Sequence, residues 1–279
     1  MNLGIARISR RTVTIAVAFA GLVSLVLGAH AALNMRSLDA AKAIATEQNS
    51  DVGAKASRVA LVIGNGHYPD ASAPLAQPIN DARGLTAALR GKGFDVDVVE
   101  DATKDDMARA IGRLKARIKP DTVVMLFFGG YGVQVGRESF MIPVDAAIWK
   151  EADVRRDGVS VESLLEAMKE QGAKAKLVVL DASRRNPYER RFRSFSHGLA
   201  PISPPENTVV LTSATPGKVA DDSKGNNSVL VSELLQNLTA QAGVESAFNK
   251  TRVAISRASE GDQVPAVSSS LLEDIKVGG

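Results

Sequence analysis

Val59-Ala60-Leu61-Val62-Ile63, stopped by Gly64, is an unbroken apolar run rich in β-branched side chains. Such a run suits a strand buried on both faces, because a half-exposed strand would alternate with polar residues. Two similar runs follow, Thr122 to Phe128 and Leu177 to Leu180, with a shorter one at Val209-Val210-Leu211. Phe94 to Glu100 alternates instead, and Val133 to Ile142 has the pattern of a hairpin. Helical segments lie between these strands. Asn80 or Asp81 is placed to cap a helix that runs to about Arg90 and stops at Gly91 and Gly93. Thr103 with Asp106 makes a near capping box, after which Met107, Ile111, Leu114 and Ile118 line one helix face up to Pro120. Ser160 starts a helix carrying Leu164, Leu165 and Met168, and two more helices fall near 229–240 and 244–258. Strands alternating with amphipathic helices predict an α/β fold, a mostly parallel central sheet with helices on both faces. Folds of this kind place their sites at the carboxyl ends of strands, here after Ile63, Phe128 and Leu180.

The chain has 279 residues, 45% hydrophobic and 23% charged, which is ordinary globular composition. It contains no cysteine, so disulfides, thiolate metal sites and a cysteine nucleophile are excluded. The net charge of +3 belongs to Arg7, Arg10 and Arg11, the only charged residues among the first 31. The remainder balances, so the basic character is no argument for nucleic acid. An uncharged run from Thr12 to Ala29 follows the arginines, and Ala29-His30-Ala31 ends it with small residues. This order fits a cleaved signal peptide (1–31), with an uncleaved membrane anchor as its rival and the N-terminus inside under either reading. Under either reading the body lies outside the cytoplasm. Residues 32–57 are polar and Ala-rich, a linker, and 58–279 form the domain.

The first strand end carries Gly64-Asn65-Gly66-His67-Tyr68-Pro69. It starts like a dinucleotide fingerprint but lacks the third glycine and the helix that a phosphate needs. Only three histidines occur in the chain, so neither a metal nor another cofactor is expected. Asp95 with Asp97 and Asp221 with Asp222 are read as solvated carboxylates. The third strand ends in Phe127-Phe128-Gly129-Gly130-Tyr131-Gly132, and the fourth in Leu180-Asp181-Ala182-Ser183-Arg184-Arg185-Asn186-Pro187.

From Arg58 to about Leu271 the chain resembles a bacterial caspase-like domain, related to metacaspases and orthocaspases. Several blocks carry the resemblance in order: Arg58 to Asn65 with Tyr68, Pro78-Ile79-Asn80-Asp81-Ala82, Gly132 to Ala146, Asp181 to Arg184 with Asn186-Pro187, Ser196 to Ala200, Ala214 to Gly217 with Asn227-Ser228, and Gln263-Val264-Pro265. The resemblance implies a three-layer caspase-like sandwich. In that family the third strand delivers a Gly-His-Gly general base and the fourth an Asp-Ala-Cys or Asp-Ser-Cys nucleophile. Tyr131 and Ser183 stand at those two positions here, 52 residues apart. Caspases place their histidine about 50 residues before the cysteine. The resemblance also implies an acidic pocket for an Arg or Lys side chain, with Asp81 and Asp181 at its acidic positions.

A serine hydroxyl needs a base poised near neutral pH. Tyrosine is a poor one, since a phenol of ordinary pKa is ionised in about one molecule in a thousand at pH 7. His67 and His197 are the only other candidates in the body, and both are read as exposed loop residues. A hydrogen bond between Tyr131 and Ser183, a neutral pair filling the old site, is the expectation. Arg184, Arg185, Arg190, Arg191 and Arg193 with Tyr188, Phe192 and Phe195 form one basic-aromatic cluster, read as a solvated loop rather than a nucleic-acid or lipid contact. Three functions compete. The first is an inactive, exported caspase-like module, in the bacterial periplasm or anchored in the inner membrane, that binds a basic peptide or protein partner through Asp81 and Asp181. The second is a hydrolase using Ser183, and the third a structural envelope protein.

Overall fold

The computed structural model describes residues 57–69, 74–188, 191, 197–220, 225–239 and 241–278. The expected export segment, the linker up to residue 56 and Asp221-Asp222 lie outside these residues. Among the described residues no helix is long and apolar enough to cross a membrane.

The central sheet contains β1 (Arg58–Gly64), β2 (Asp95–Glu100), β3 (Val123–Gly129), β7 (Ala175–Asp181), β8 (Thr208–Thr212) and β9 (Ala266–Ser269), in the order β2-β1-β3-β7-β8-β9. All neighbours run parallel except β9, which returns antiparallel along β8. Every residue of β3 and β7 is buried, as the apolar run of β3 and the Leu177–Leu180 run of β7 require, and Lys176 and Asp181 of β7 are buried with them.

Strand alternation divides those side chains between two cores. Ala60, Val62, Met125, Phe127, Leu177, Val179 and Leu211 face one way. They pack against α1 (Pro78–Arg90), α5 (Val229–Asn237) and α6 (Val244–Ala258) through Leu85, Leu89, Leu230, Leu234 and Phe248. Leu61, Ile63, Leu126, Phe128, Val178 and Leu180 face the other way. Their partners are α2 (Lys104–Arg117) and α4 (Val161–Glu170), through Met107, Leu114, Leu164 and Met168. The result is the three-layer sandwich expected from the strand and helix periods. A smaller antiparallel sheet, β4 (Gly132–Val135), β5 (Glu138–Met141) and β6 (Val159–Ser160), extends from the end of β3.

One helix boundary and three short elements depart from the sequence reading. The helix assigned to start at Asn80 or Asp81 starts at Pro78, with Gln77 at the N-cap and no capping side chain. Proline fits a first helical turn because the N–H it lacks has no partner there. Asp81 is therefore released from capping its own helix. Helix α3 (Glu151–Asp157) and the short strands β6 and β9 were not anticipated, being too short to show a period. The Thr103–Asp106 capping box is present, and Ser160 caps α4 by accepting the N–H of Ser163. On the surface, Asp97 and Asp95 pair with Arg113 and Arg117 of α2.

Candidate functional site

The parallel register brings three strand ends level: Gly64 pairs with Gly129, and Gly129 with Asp181. The pairing continues beyond the strands. Gly130 N donates to Asp181 O at 3.2 Å, and Gly132 N to Ala182 O at 3.0 Å. Tyr131 and Ser183 each stand two residues past a paired position, so the sheet itself sets them on adjacent chain extensions. The approach is close enough to need glycine at 132, where a Cβ would lie 2.5 Å from Leu199 Cδ2 and 2.7 Å from Ala182 O.

The hydrogen bond expected between Tyr131 and Ser183 does not form. Ser183 is fully buried and its Oγ has no hydrogen-bond partner. Tyr131 belongs instead to an apolar cluster with Tyr68, Val133, Phe140, Ile142 and Tyr188. Its ring meets Tyr68 edge-on, with centroids 4.8 Å apart. The Tyr68 hydroxyl accepts the Tyr131 N–H at 3.1 Å and donates to Ile142 O at 2.9 Å. Burial holds the Tyr68 phenol neutral, far above the usual tyrosine range. Aromatic packing and burial have taken the tyrosine away from the serine.

Among the described residues no base is hydrogen-bonded to the Ser183 hydroxyl. His67 is exposed, and its Nδ1 lies 2.5 Å from Asp101 Oδ2. Asp101 also accepts the N–H groups of Gly66 and His67, both at 2.9 Å. Burial opposes ionisation of Asp101, but those two N–H groups and the imidazole together draw its pKa below the usual range. His197 is exposed too. An acyl-transfer site needs N–H groups free to hold a developing oxyanion. Here the N–H of Gly132 is bound to Ala182 O, and that of Ser183 to Ser213 Oγ at 3.3 Å.

The two acidic residues are the chemically unusual part. Asp81, on the first turn of α1, is fully buried. Its Oδ1 accepts from Asn227 Nδ2 at 2.8 Å and from the N–H of Ser228, the N-cap of α5, at 3.0 Å. Its Oδ2 has no hydrogen-bond partner. Burial first, and then the negative charge of Asp181, push the Asp81 pKa up to about 6, against the hydrogen bonds from Asn227 and Ser228. Asp181, at the end of β7, is also buried, and its Oδ2 makes no hydrogen bond. That oxygen faces Arg184 Nη2 at 3.8 Å, an ion pair between two buried side chains.

Arg184 is thus no part of a solvated loop. The same holds for two other members of the basic-aromatic cluster. Tyr188 is buried, and the Arg191 guanidinium stacks 4.4 Å from the Trp149 ring while donating to Ile148 O at 2.6 Å. Arg185 is exposed as expected. Arg190, Phe192, Arg193 and Phe195 lie outside the described residues.

Asn186 completes the group. Its Oδ1 accepts the Tyr188 N–H at 2.9 Å, and its buried Nδ2 has no partner. Folded proteins leave few buried polar atoms unsatisfied, and each is a cost of about 1–3 kcal/mol. Asp81 Oδ2, Asp181 Oδ2, Ser183 Oγ and Asn186 Nδ2 all belong to the strand ends and the helix turn facing them. Such a cluster suits a ligand that supplies the missing partners. Among the described residues no group of three or more side chains is arranged to hold a metal ion. Sequence reasoning missed Arg184 and Asn186 as members of the site. The one available signal for Arg184 was its place three residues after Asp181.

Comparison with known proteins agrees with this architecture. The family model for the caspase domain matches residues 57–276. The human "Mucosa-associated lymphoid tissue lymphoma translocation protein 1" is 30% identical over 144 residues, 51% of this chain and 17% of that protein. Its mouse homolog is 31% identical over 133 residues, 47% of this chain and 16% of that protein. The aligned stretch therefore spans about a sixth of each relative's length. A family match running through β1 to β9, over a sandwich whose strand ends meet as described, places this chain in the caspase-domain family.

Proposed function

We propose that this caspase-domain protein has lost catalysis and binds the basic side chain of a peptide or protein partner through Asp81 and Asp181. The observation that carries the reading is the buried acid pair, each carboxylate keeping one oxygen without a hydrogen bond. Carboxylates so placed suit an ammonium or guanidinium, which brings both charge and N–H donors. Tyr131 and Ser183 occupy the places of the family's base and nucleophile. A hydroxyl with no hydrogen-bonded base is not activated, and this one is also shielded from water. The competing reading, hydrolysis by Ser183, has no comparable support. In the proposed reading residues 1–31 carry the domain out of the cytoplasm, as signal or as anchor, and residues 32–57 tether it.

Binding of an arginine-containing peptide to the full chain is the direct test. Asp81→Asn and Asp181→Asn should each weaken it at least about tenfold, the loss typical of a buried charge-assisted contact. Unchanged affinity in both variants removes the acid-site reading. The same binding should weaken between pH 7 and pH 5. Asp81 titrates near 6, raised by burial and by the charge of Asp181, which itself faces Arg184, and its protonated form offers no charge to the ligand. Affinity constant across that window contradicts the role of Asp81.

Ser183→Ala separates the two catalytic readings. The parent should not cleave Arg- or Lys-containing peptides, and the variant should be stabilised by about 1 kcal/mol because it removes a buried, unsatisfied hydroxyl. Turnover by the parent that disappears in the variant would establish the hydrolase instead.

A further inference from the structure

We propose that Arg184 is an internal occupant of the acid site: its guanidinium stands against Asp181 where a ligand's basic side chain would be held, and a ligand binds by exchanging with it. The inference builds on the acid-site reading above and adds the identity of what the ligand displaces.

The local chain geometry makes this occupancy possible. The N–H of Arg184 donates to Ala182 O at 2.8 Å, a tight turn centred on Ser183. The turn folds the chain back immediately after β7, so a side chain at 184 can reach the carboxylate at 181. Both side chains are buried, at 6% and 3% exposure, so the pair is removed from water.

Its geometry is poor for an arginine–carboxylate contact. A guanidinium seated on a carboxylate makes N–H···O contacts of about 2.7–2.9 Å, often two in parallel. Here the nearest approach is 3.8 Å, and Asp181 Oδ2 receives no hydrogen bond. Arg184 supplies charge to the acid pair without satisfying it. A cation that can approach more closely gains hydrogen bonds at both Asp81 Oδ2 and Asp181 Oδ2 that Arg184 leaves unmade.

Charge balance then selects the ligand. Withdrawing Arg184 alone would leave two buried carboxylates without a cation, which is strongly unfavourable. Exchange for another monocation keeps the buried charge constant. A neutral ligand of the same shape cannot drive the exchange. The class of ligand is therefore a side chain ending in guanidinium or ammonium, and Arg184 sets the affinity that it must exceed.

Calorimetric titration of argininamide into the full chain and into Arg184→Gln tests this. With the competing occupant removed, Arg184→Gln should bind argininamide about tenfold more tightly than the parent, since a larger fraction of the protein is binding-competent. Citrullinamide, the neutral isostere, should bind to neither. Equal or weaker affinity in Arg184→Gln overturns the exchange. If the parent binds and the variant binds no better, the acid-site reading stands and the exchange falls. If only the variant binds, the exchange stands and ligand binding by the parent falls. Binding by neither removes both. Should Arg184→Gln fail to fold, the parent still decides: saturating argininamide should shift the Arg184 Nε–H resonance in ¹⁵N NMR, and an unmoved resonance overturns the proposal.

Discussion

The Asp81→Asn variant is expected to melt higher than the parent at pH 7 while losing its affinity for basic ligands. In the folded protein Asp81 titrates near 6 instead of 3.8. The folded state therefore holds that proton more tightly than the unfolded chain does. Its contribution to stability is greatest below about pH 4, falls as the pH rises towards 6, and stays low above that. At neutral pH the ionised carboxylate costs about 2–3 kcal/mol of folding free energy. Asparagine keeps an acceptor for Asn227 and Ser228 and removes the repulsion from Asp181. Some of the gain is lost because those hydrogen bonds are no longer charge-assisted. The net stabilisation should be about 1–2 kcal/mol, or about 4 °C in Tm. The stability difference between pH 4 and pH 7 assigned to this group should vanish as well. Thermal melts at both pH values, with binding measured on the same samples, check the prediction. A variant less stable than the parent at pH 7 would show that the carboxylate is fully compensated in the fold. A stabilising substitution that removes binding is the pattern expected of a residue retained for function.

Gly64→Ala is expected to have the opposite effect on stability, and a larger one. A Cβ at Gly64 would lie 2.3 Å from the carbonyl oxygen of Pro78 and 2.8 Å from Ala82 Cβ. The obstacle is helix backbone, so no side-chain rotation relieves it. The first turn of α1 would have to move away from β1, and Asp81 would move with it. The loss should be about 3 kcal/mol, a fall of about 8 °C in Tm. Gly112→Ala is the control. It lies inside α2 with nothing within 4 Å of the added methyl, and should stabilise the protein by about 0.5–1 kcal/mol through helix propensity. Urea unfolding of the two variants measures both. A Gly64→Ala midpoint equal to that of the parent would mean that α1 can slide along the sheet at little cost.

The contrast between these two positions shows what could be read from residues alone. Leu61, Leu126 and Leu180 announce buried strands because β periodicity is a local property of the chain. The strand ends to search followed from the same pattern, whereas the matching of Tyr131 with Ser183 came from the resemblance to the caspase-like family, and the level register came from the structure. The direction of the Tyr131 ring did not follow. It depends on Tyr68, 63 residues away, whose hydroxyl receives the Tyr131 N–H. Arg184 looked like one arginine among several in a polar loop. Only the turn after β7 shows that its guanidinium goes back to Asp181.

The amino-acid order alone determined the layered α/β sandwich, the three strand ends that converge, and the absence of a cysteine nucleophile. These rest on hydrophobic period and residue identity, which act over a few neighbours. Tertiary structure decided which polar groups are buried, which of them have partners, and which do not. Asp81 meets Asn227 across 146 residues of chain, and its altered acidity comes from that enclosure and from Asp181. Desolvation and pairing are properties of the packed interior, where low dielectric strengthens each charge and removes the water that would otherwise satisfy it.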